Sequence, residues 1–299
     1  MPQITANGVS LHYDERGSGP ETALLIMGLG AQMTRWPEGF CDQLAARGFR
    51  VIRFDNRDIG LSQKMDEAGL PDMAAIFTAF TMGQQPPAAY TLTEMAADAA
   101  GLMDALDLTN VHVIGASMGG MIAQLVAADH ADRVASLTSI MSTTGNRDLP
   151  GGTPEAMAAL STPAPHPETD LEGYLNHAVK TARIIGSTGH PFDEDGVRVR
   201  AKADVERSYA PAGFMRQYAA VLASPDRRPK LKGIEVPTVV IHGEVDPLVP
   251  LTGGQDTADN IPGAEMVVIP GMGHDVPQAV YAPIIEAIVK VAGRAKAEA

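Results

Sequence analysis

The chain has 299 residues, 45% hydrophobic and 20% charged, and this average composition excludes disordered, collagen-like and coiled-coil proteins. Its 23 basic and 36 acidic residues give a net charge of −13, and so acidic a surface disfavours nucleic-acid partners. The single cysteine, Cys41, excludes internal disulfides and multi-thiolate metal sites. Without a signal-peptide pattern or a long apolar stretch, the sequence predicts a cytoplasmic protein without membrane partners.

Short strands and helices alternate along most of the chain. Ser10–Arg16 alternates apolar and polar residues, which predicts an edge strand. Continuous apolar runs then predict six buried strands, at Thr22–Met27, Phe49–Asp55, Val111–Gly115, Val134–Met141, Val236–His242 and Glu265–Ile269. Helical patterns separate most of these runs, so we expect an α/β fold with a mostly parallel central sheet and helices on both faces.

Helices are predicted after Thr91, where Glu94 completes a capping box, and over Met118–Asp129 and Ala279–Val291. The alternation stops after Ser142. Residues 143–233 are rich in Pro, Gly and Ala and show only short helical patterns, so we predict a helical cap there, inserted into a core domain of residues 1–142 and 234–299. Parts of residues 71–87 are further candidates for this cap.

The strongest chemical motif is the G-x-S-x-G sequence of Gly115–Gly119, which lies directly between a predicted strand and a predicted helix. A serine in so sharp a turn needs glycine two residues away on either side, because Cβ atoms there would collide. The motif presents the Ser117 hydroxyl at the carboxyl end of the strand, and we predict that Ser117 is a nucleophile.

A serine nucleophile requires a base, and the base requires an acid that orients it. His274 is the best of eight histidines for the base, because it follows the last strand and precedes the last helix. Asp246 follows the penultimate strand and is the preferred acid, with Glu244 as its nearest rival. The order serine, aspartate, histidine is that of α/β-hydrolases.

The oxyanion of an acyl-transfer reaction needs preformed N–H donors. Met118, directly after the nucleophile, is one candidate, and Leu29 in the glycine-rich loop Met27–Gly30 is the other. The loop lacks the spacing and the lysine of phosphate-binding motifs. Met27 and Met272, which adjoin site residues, are predicted to line an adaptable apolar substrate pocket.

Five stretches resemble the α/β-hydrolase superfamily, and within it aclacinomycin methylesterase-like esterases: Leu25–Gly28, Trp36–Pro37, Val51–Ser62, Gly115–Gly119 and Pro270–His274. The resemblance covers nearly the whole chain. It implies the α/β-hydrolase fold with a cap, and the roles given above to the serine, the aspartate, the histidine and the two oxyanion donors. Asp55 and Arg57 resemble the family's D-x-R element, which we interpret as a loop-fixing ion pair.

The sequence therefore predicts a carboxylic ester hydrolase with a Ser-His-Asp triad, an acyl-enzyme intermediate and small to medium, largely apolar ester substrates. No cofactor is implied, and no metal-binding motif is found. Three other chemistries of the same triad stay open: lactone opening, perhydrolysis and hydrolysis of carbon–carbon bonds. A ligand-binding receptor that retains the triad is a further alternative. The sequence does not specify an oligomeric state.

Overall fold

A computed structural model describes residues 2–298 of the chain. Eight strands form one sheet in the spatial order β1-β2-β4-β3-β5-β6-β7-β8. Their bounds are β1 Gln3–Ala6, β2 Val9–Arg16, β3 Glu21–Ile26, β4 Phe49–Phe54, β5 Val111–Ala116, β6 Val134–Ile140, β7 Thr238–Gly243 and β8 Glu265–Ile269. Strands β3 to β8 are parallel, whereas β1 and β2 run antiparallel to their neighbours. The mostly parallel sheet expected from the apolar runs is confirmed.

Eleven α-helices lie among the described residues. Their bounds are α1 Glu38–Ala46, α2 Met73–Thr81, α3 Leu92–Ala105, α4 Met118–Asp129, α5 Pro154–Ser161, α6 Leu171–Ile185, α7 Glu194–Arg207, α8 Pro211–Ala223, α9 Arg228–Leu231, α10 Leu251–Asn260 and α11 Tyr281–Glu298. The capping box of α3 is confirmed, because the Thr91 N–H donates to Glu94 Oε2 at 2.7 Å and the Thr91 hydroxyl accepts from the first turn. Within residues 2–298, no helix combines the length and the apolar character needed to cross a membrane.

The sheet separates two hydrophobic layers, because neighbouring residues of each strand point to opposite faces. Leu24 and Ile26 of β3 pack in the layer formed with α3 and α4, whereas Ala23 and Leu25 pack in the layer formed with α1 and α11. All four side chains are fully buried. Burial of a leucine or isoleucine stabilises a fold by about 1.5–3 kcal/mol, so these layers fix the sheet beneath the loops at its edge.

The predicted edge position of the strand at residues 10–16 is wrong. Strand β2 pairs with β4 on one side and with β1 on the other, so β1 forms the edge. Asn7 and Gly8 connect β1 to β2 and have φ angles of +50° and +75°, as a tight hairpin turn requires. The Asn-Gly pair was the available sequence signal for β1, which is too short and too polar for a strong strand pattern.

The predicted ion pair between Asp55 and Arg57 is also wrong. Arg57 forms a buried two-bond ion pair with Asp98 of α3, with both distances 2.6 Å. Asp55 lies 2.7 Å from Arg207 of α7 and accepts hydrogen bonds from the backbone of Met33 and Leu61. The two side chains therefore fasten the loop after β4 to two different helices.

Residues 143–233 contain helices α5 to α9 and lie between β6 and β7. Their division from the core as a separate cap stays a prediction, and we use "cap segment" for these residues. Helix α2 packs against the cap segment, since the rings of Phe77 and Tyr218 lie 6.2 Å apart in an edge arrangement.

We expect Asp98→Asn to lower the free energy of unfolding by about 3–5 kcal/mol, because it leaves the buried Arg57 charge without a counter-charge. The matched control is Glu15→Gln, which breaks the more exposed Arg50–Glu15 pair and should cost about 0–1 kcal/mol. Urea unfolding of both variants at pH 7 measures the difference. Equal losses would contradict this account of the loop after β4.

Candidate active site

Ser117 lies in a strained turn between β5 and α4. Its φ and ψ angles are +56° and −122°, a region that non-glycine residues rarely adopt. A Cβ atom on Gly115 would overlap the backbone of Gly119, and one on Gly119 would overlap the Ile26 carbonyl of β3. The two glycines of the motif therefore allow three backbone segments to meet beneath the hydroxyl. The Ser117 N–H also donates to the Ile140 carbonyl at 2.9 Å.

The side chains of Ser117, His274 and Asp246 form one hydrogen-bonded series. Ser117 Oγ lies 2.9 Å from His274 Nε2, and His274 Nδ1 lies 2.7 Å from Asp246 Oδ2. The Asp246 side chain is fully buried and that of His274 is 7% exposed. The structure thus brings together three residues that are predicted from loops far apart in sequence. This arrangement allows the imidazole to take a proton from the hydroxyl while the carboxylate holds the ring.

The loop after β7 fixes the orientation of the Asp246 carboxylate. Its Oδ1 accepts from the N–H groups of Leu248 and Val249, both at 2.9 Å, which leaves Oδ2 for the histidine. Glu244 is exposed, and its side chain accepts from the Gly271 N–H at 3.2 Å instead. The geometry therefore favours Asp246 over its rival as the partner of His274.

His242 lies behind the carboxylate and was not singled out as a site residue from the sequence. Its Nε2 donates to the Val249 carbonyl at 2.8 Å and lies 3.7 Å from Asp246 Oδ2. Burial lowers the pKa of His242, so this ring is neutral at neutral pH. A neutral neighbour leaves the charge of Asp246 available to His274.

The predicted oxyanion donors flank the nucleophile. A Cβ atom on Gly28 would lie 3.1 Å from the Cβ of Ser117 and 3.6 Å from its hydroxyl oxygen, so the loop after β3 passes directly beside the serine. Among residues 2–298, neither the Leu29 N–H nor the Met118 N–H donates to a protein acceptor. Both donors are therefore available to a ligand.

Strand order explains why these loops meet. Strand β3 lies between β4 and β5, so the chain leaves β3 toward one side of the sheet and later returns on the other side. In open parallel sheets, ligands bind outside the carboxyl ends of the strands at such a switch point. The loop of Leu29 follows β3 and the turn of Ser117 follows β5, which places both at this point.

Met27 and Met272 both belong to the hydrophobic layer that packs on α1 and α11. Met272 is fully buried and Met27 is 8% exposed. The predicted role of the two side chains as walls of a substrate pocket stays a prediction. In the part of the chain that the structure describes, no three His, Cys, Asp or Glu residues are grouped so that they could hold a metal ion.

The loop that carries His274 is fastened to the end of α6. The His274 N–H donates to the Ile185 carbonyl at 2.7 Å, and the Gly273 N–H donates to the Ser187 hydroxyl at 3.0 Å. Asp275 in turn accepts from both the N–H and the hydroxyl of Ser187. The cap segment therefore holds the histidine loop through its backbone, and no sequence motif indicated this contact.

The comparison with known families agrees with the geometry. A family profile described as alpha/beta hydrolase fold matches residues 24–182, more than half of the chain. The chain belongs to the alpha/beta hydrolase fold family. A second profile, described as TAP-like protein, matches residues 217–289.

Individual proteins are similar to the chain over nearly its whole length. The rhodomycin D methylesterases DauP, from a Streptomyces strain, and DnrP, from Streptomyces peucetius, are each 29% identical to this α/β-hydrolase over 95% of both chains. An esterase structure from Thermogutta terrifontis is 25% identical over 97% of this chain and 98% of its own, with a TM-score of 0.68. An enol-lactonase structure from Burkholderia xenovorans is 23% identical over 97% and 99%, with a TM-score of 0.71. The resemblance drawn from the sequence is confirmed, and this α/β-hydrolase is an enzyme of the carboxylesterase type.

We expect Ser187→Ala to lower kcat for ester hydrolysis about 10-fold, because the histidine loop loses a side-chain anchor and small displacements of a base are costly. The control is Ser161→Ala, an exposed cap-segment serine that bonds only within its own helix. Steady-state kinetics on a p-nitrophenyl ester compare the variants. Equal kcat values for both would show that this anchor does not position His274.

Proposed function

We propose that this α/β-hydrolase is a carboxylic ester hydrolase that works through a Ser117–His274–Asp246 triad and an acyl-enzyme intermediate. The hydrogen-bonded series from hydroxyl to imidazole to carboxylate is the observation that carries the proposal. The two free N–H donors beside the serine support it, because ester hydrolysis passes through an oxyanion.

In the proposed reaction, Ser117 Oγ attacks the acyl carbon while His274 Nε2 accepts the hydroxyl proton. The carbonyl oxygen becomes an oxyanion, which accepts hydrogen bonds from the N–H groups of Leu29 and Met118. His274 then donates the proton to the departing alkoxide, and the alcohol leaves. Water, deprotonated by His274, attacks the acyl-enzyme and releases the acid and the free serine.

Asp246 keeps the imidazole of His274 in the tautomer that the proposed reaction needs. Its Oδ2 accepts from Nδ1–H, so Nε2 carries the lone pair that faces the hydroxyl. When the ring becomes an imidazolium, the buried carboxylate stabilises the positive charge over a short distance. Both roles require a carboxylate in a fixed orientation, and the backbone donors of its loop provide that orientation.

The proposed substrates are small to medium, largely apolar esters. The methylesterase names of the two Streptomyces relatives support esters of small alcohols. Aromatic side chains of α8 support an apolar acyl group in the substrate. Phe214 packs against Gly30 in the loop after β3, and its ring lies 6.4 Å from the ring of Tyr218. The cytoplasmic location expected from the sequence stays a prediction.

We expect Ser117→Ala to lower kcat at least about 10³-fold with the fold retained, because triad members act as a unit. Asp246→Asn should lower kcat by about 10⁴-fold, since the amide strands the imidazole in the wrong tautomer. Glu244→Gln is the matched control, because it neutralises an acid of the same loop that bonds elsewhere, and it should retain most activity. Kinetics on a small activated ester, with thermal melting curves, measure these effects.

Retention of more than a tenth of the activity in Ser117→Ala would contradict the nucleophile. A larger loss in Glu244→Gln than in Asp246→Asn would move the acid to Glu244. These outcomes are independent, so each residue is tested separately.

Chain-length dependence tests the substrate class. We expect kcat/KM to rise from acetyl toward medium acyl esters, because each buried methylene contributes about 0.8 kcal/mol, and then to fall once the pocket is full. Emulsified triolein should be a poor substrate. A preference for triolein over a butanoyl ester would contradict a roofed pocket.

Hydrolysis of carbon–carbon bonds, a second chemistry open to the same triad, has support from one comparison. A 2-hydroxy-6-oxononadienedioate/2-hydroxy-6-oxononatrienedioate hydrolase from Paraburkholderia xenovorans is 29% identical over 89% of this chain and 84% of its own. Lactones and a vinylogous 1,5-diketone should therefore be assayed beside the esters. A kcat/KM for either that exceeds the best ester would replace ester hydrolysis as the main activity.

A further inference from the structure

Helix α8 of the cap segment lies directly on the loops that follow β3 and β4. A Cβ atom on Gly213 would overlap the Asp58 carbonyl, so the helix backbone touches the loop after β4. One turn of this helix also covers the loop after β3, because a Cβ atom on Gly30 would overlap the ring of Phe214. These two contacts fix the distance between α8 and the loops after β3 and β4.

Buried charges fix the same helix laterally. Arg216 forms two hydrogen bonds to Asp58, at 2.9 and 2.6 Å, and both side chains are almost fully buried. Tyr90 donates its hydroxyl to the same carboxylate at 2.6 Å. Arg216 also reaches the Gly69 carbonyl at 3.0 Å. These contacts attach α8 to the core and do not involve the loop after β3.

The next residue of α8, Gln217, bridges the two loops. Its side chain is fully buried, its Oε1 accepts from the Gly30 N–H at 2.9 Å, and its Nε2 donates to the Arg57 carbonyl at 2.8 Å. Gly30 has a φ of +67°, a left-handed conformation that suits glycine. A buried amide with both ends bonded to backbone groups holds those groups in a defined orientation.

The peptide geometry connects this bridge to the oxyanion donor. The Gly30 N–H belongs to the peptide plane that follows Leu29, and Gln217 fixes that plane. The plane that precedes Leu29 contains its own N–H and the Gly28 carbonyl, which accepts from the Ala31 N–H at 3.3 Å. Both planes around Leu29 are thus held, one by a local turn and one by the cap segment, so the Leu29 N–H has a single direction.

We propose that Gln217 is a positioning residue of the oxyanion hole, which acts by fixing the Leu29–Gly30 peptide and thereby the direction of the Leu29 N–H. The proposal rests on the proposed function, because it assumes that an oxyanion forms at Ser117. Its consequence is that the cap segment contributes to transition-state stabilisation as well as to substrate binding.

The test compares Gln217→Leu, Gln217→Glu and Gln217→Asn with the control Ser224→Ala. The leucine removes both hydrogen bonds. The glutamate keeps an acceptor for the Gly30 N–H and loses the amide donor to the Arg57 carbonyl, and the asparagine is one methylene too short to reach Gly30. Ser224, the C-cap of α8, bonds to the Leu92 N–H at 3.0 Å, so its alanine variant loosens the same helix elsewhere. Kinetics on p-nitrophenyl butanoate, melting temperatures and inhibition by an alkyl trifluoromethyl ketone are measured for each.

We expect Gln217→Leu and Gln217→Asn to lower kcat about 10- to 100-fold with KM changed less than about threefold, a part of what complete loss of an oxyanion donor costs. The ketone forms a hemiketal oxyanion with the serine, so its Ki should rise in parallel with the loss in kcat. Gln217→Glu should remain within about fivefold of the wild-type kcat, and Ser224→Ala within about threefold.

Two results would overturn the proposal. One is a Ki for the ketone that does not change in Gln217→Leu or, if that variant does not fold, in Gln217→Asn. The other is a Gln217→Glu variant no more active than the leucine variant, because a purely structural role predicts that a buried carboxyl is tolerated no better than an apolar group. Failure of the ketone to inhibit the wild-type enzyme, with activity retained in Ser117→Ala, would instead reject the proposed function.

Discussion

The strained turn at Ser117 determines where the loops of the site lie. A serine with φ +56° persists only where the surrounding backbone holds it, and here β3, β6 and the first turn of α4 do so. The glycines that make this approach possible let the first turn of α4 contact the ends of β3 and β5. The loop after β3 consequently lies beside the hydroxyl. The turn therefore carries the proposed nucleophile and one proposed oxyanion donor, next to the loop that carries the other.

The cap segment contacts the loop of His274 and the loop after β3. Its helix α6 ends against the backbone of the histidine loop, and its helix α8 reaches the backbone next to Leu29. Both contacts use hydrogen bonds to backbone groups, which orient a loop more narrowly than apolar packing does. The buried pair of Arg216 with Asp58 keeps α8 in register with the core. The cap segment is therefore attached to the backbone of both loops, the one that carries the proposed base and the one that carries the proposed oxyanion donor Leu29.

Local patterns were sufficient for the parallel strands, for the turn at Ser117 and for the positions of Asp246 and His274, because each depends on residues near in sequence and on the carboxyl edge shared by parallel strands. They were insufficient where a side chain chooses among distant partners. Arg57 pairs with Asp98 rather than with Asp55, and Gln217 meets Gly30 across 187 positions. Packing of whole helices decides such contacts, and no spacing rule encodes them. The hairpin turn at Asn7–Gly8, in contrast, depends on a local pair of residues and is therefore recognisable from sequence.

Covalent labelling tests whether Ser117 is a nucleophile that His274 and Asp246 activate. A fluorophosphonate ester is allowed to react with the wild-type enzyme and with Asp246→Asn, and the labelled peptide is identified by mass spectrometry. We expect one label per chain, located on Ser117, and a labelling rate in Asp246→Asn that falls in parallel with its kcat/KM. A label on another residue, or an equal labelling rate in the two proteins, would rule out the proposed triad.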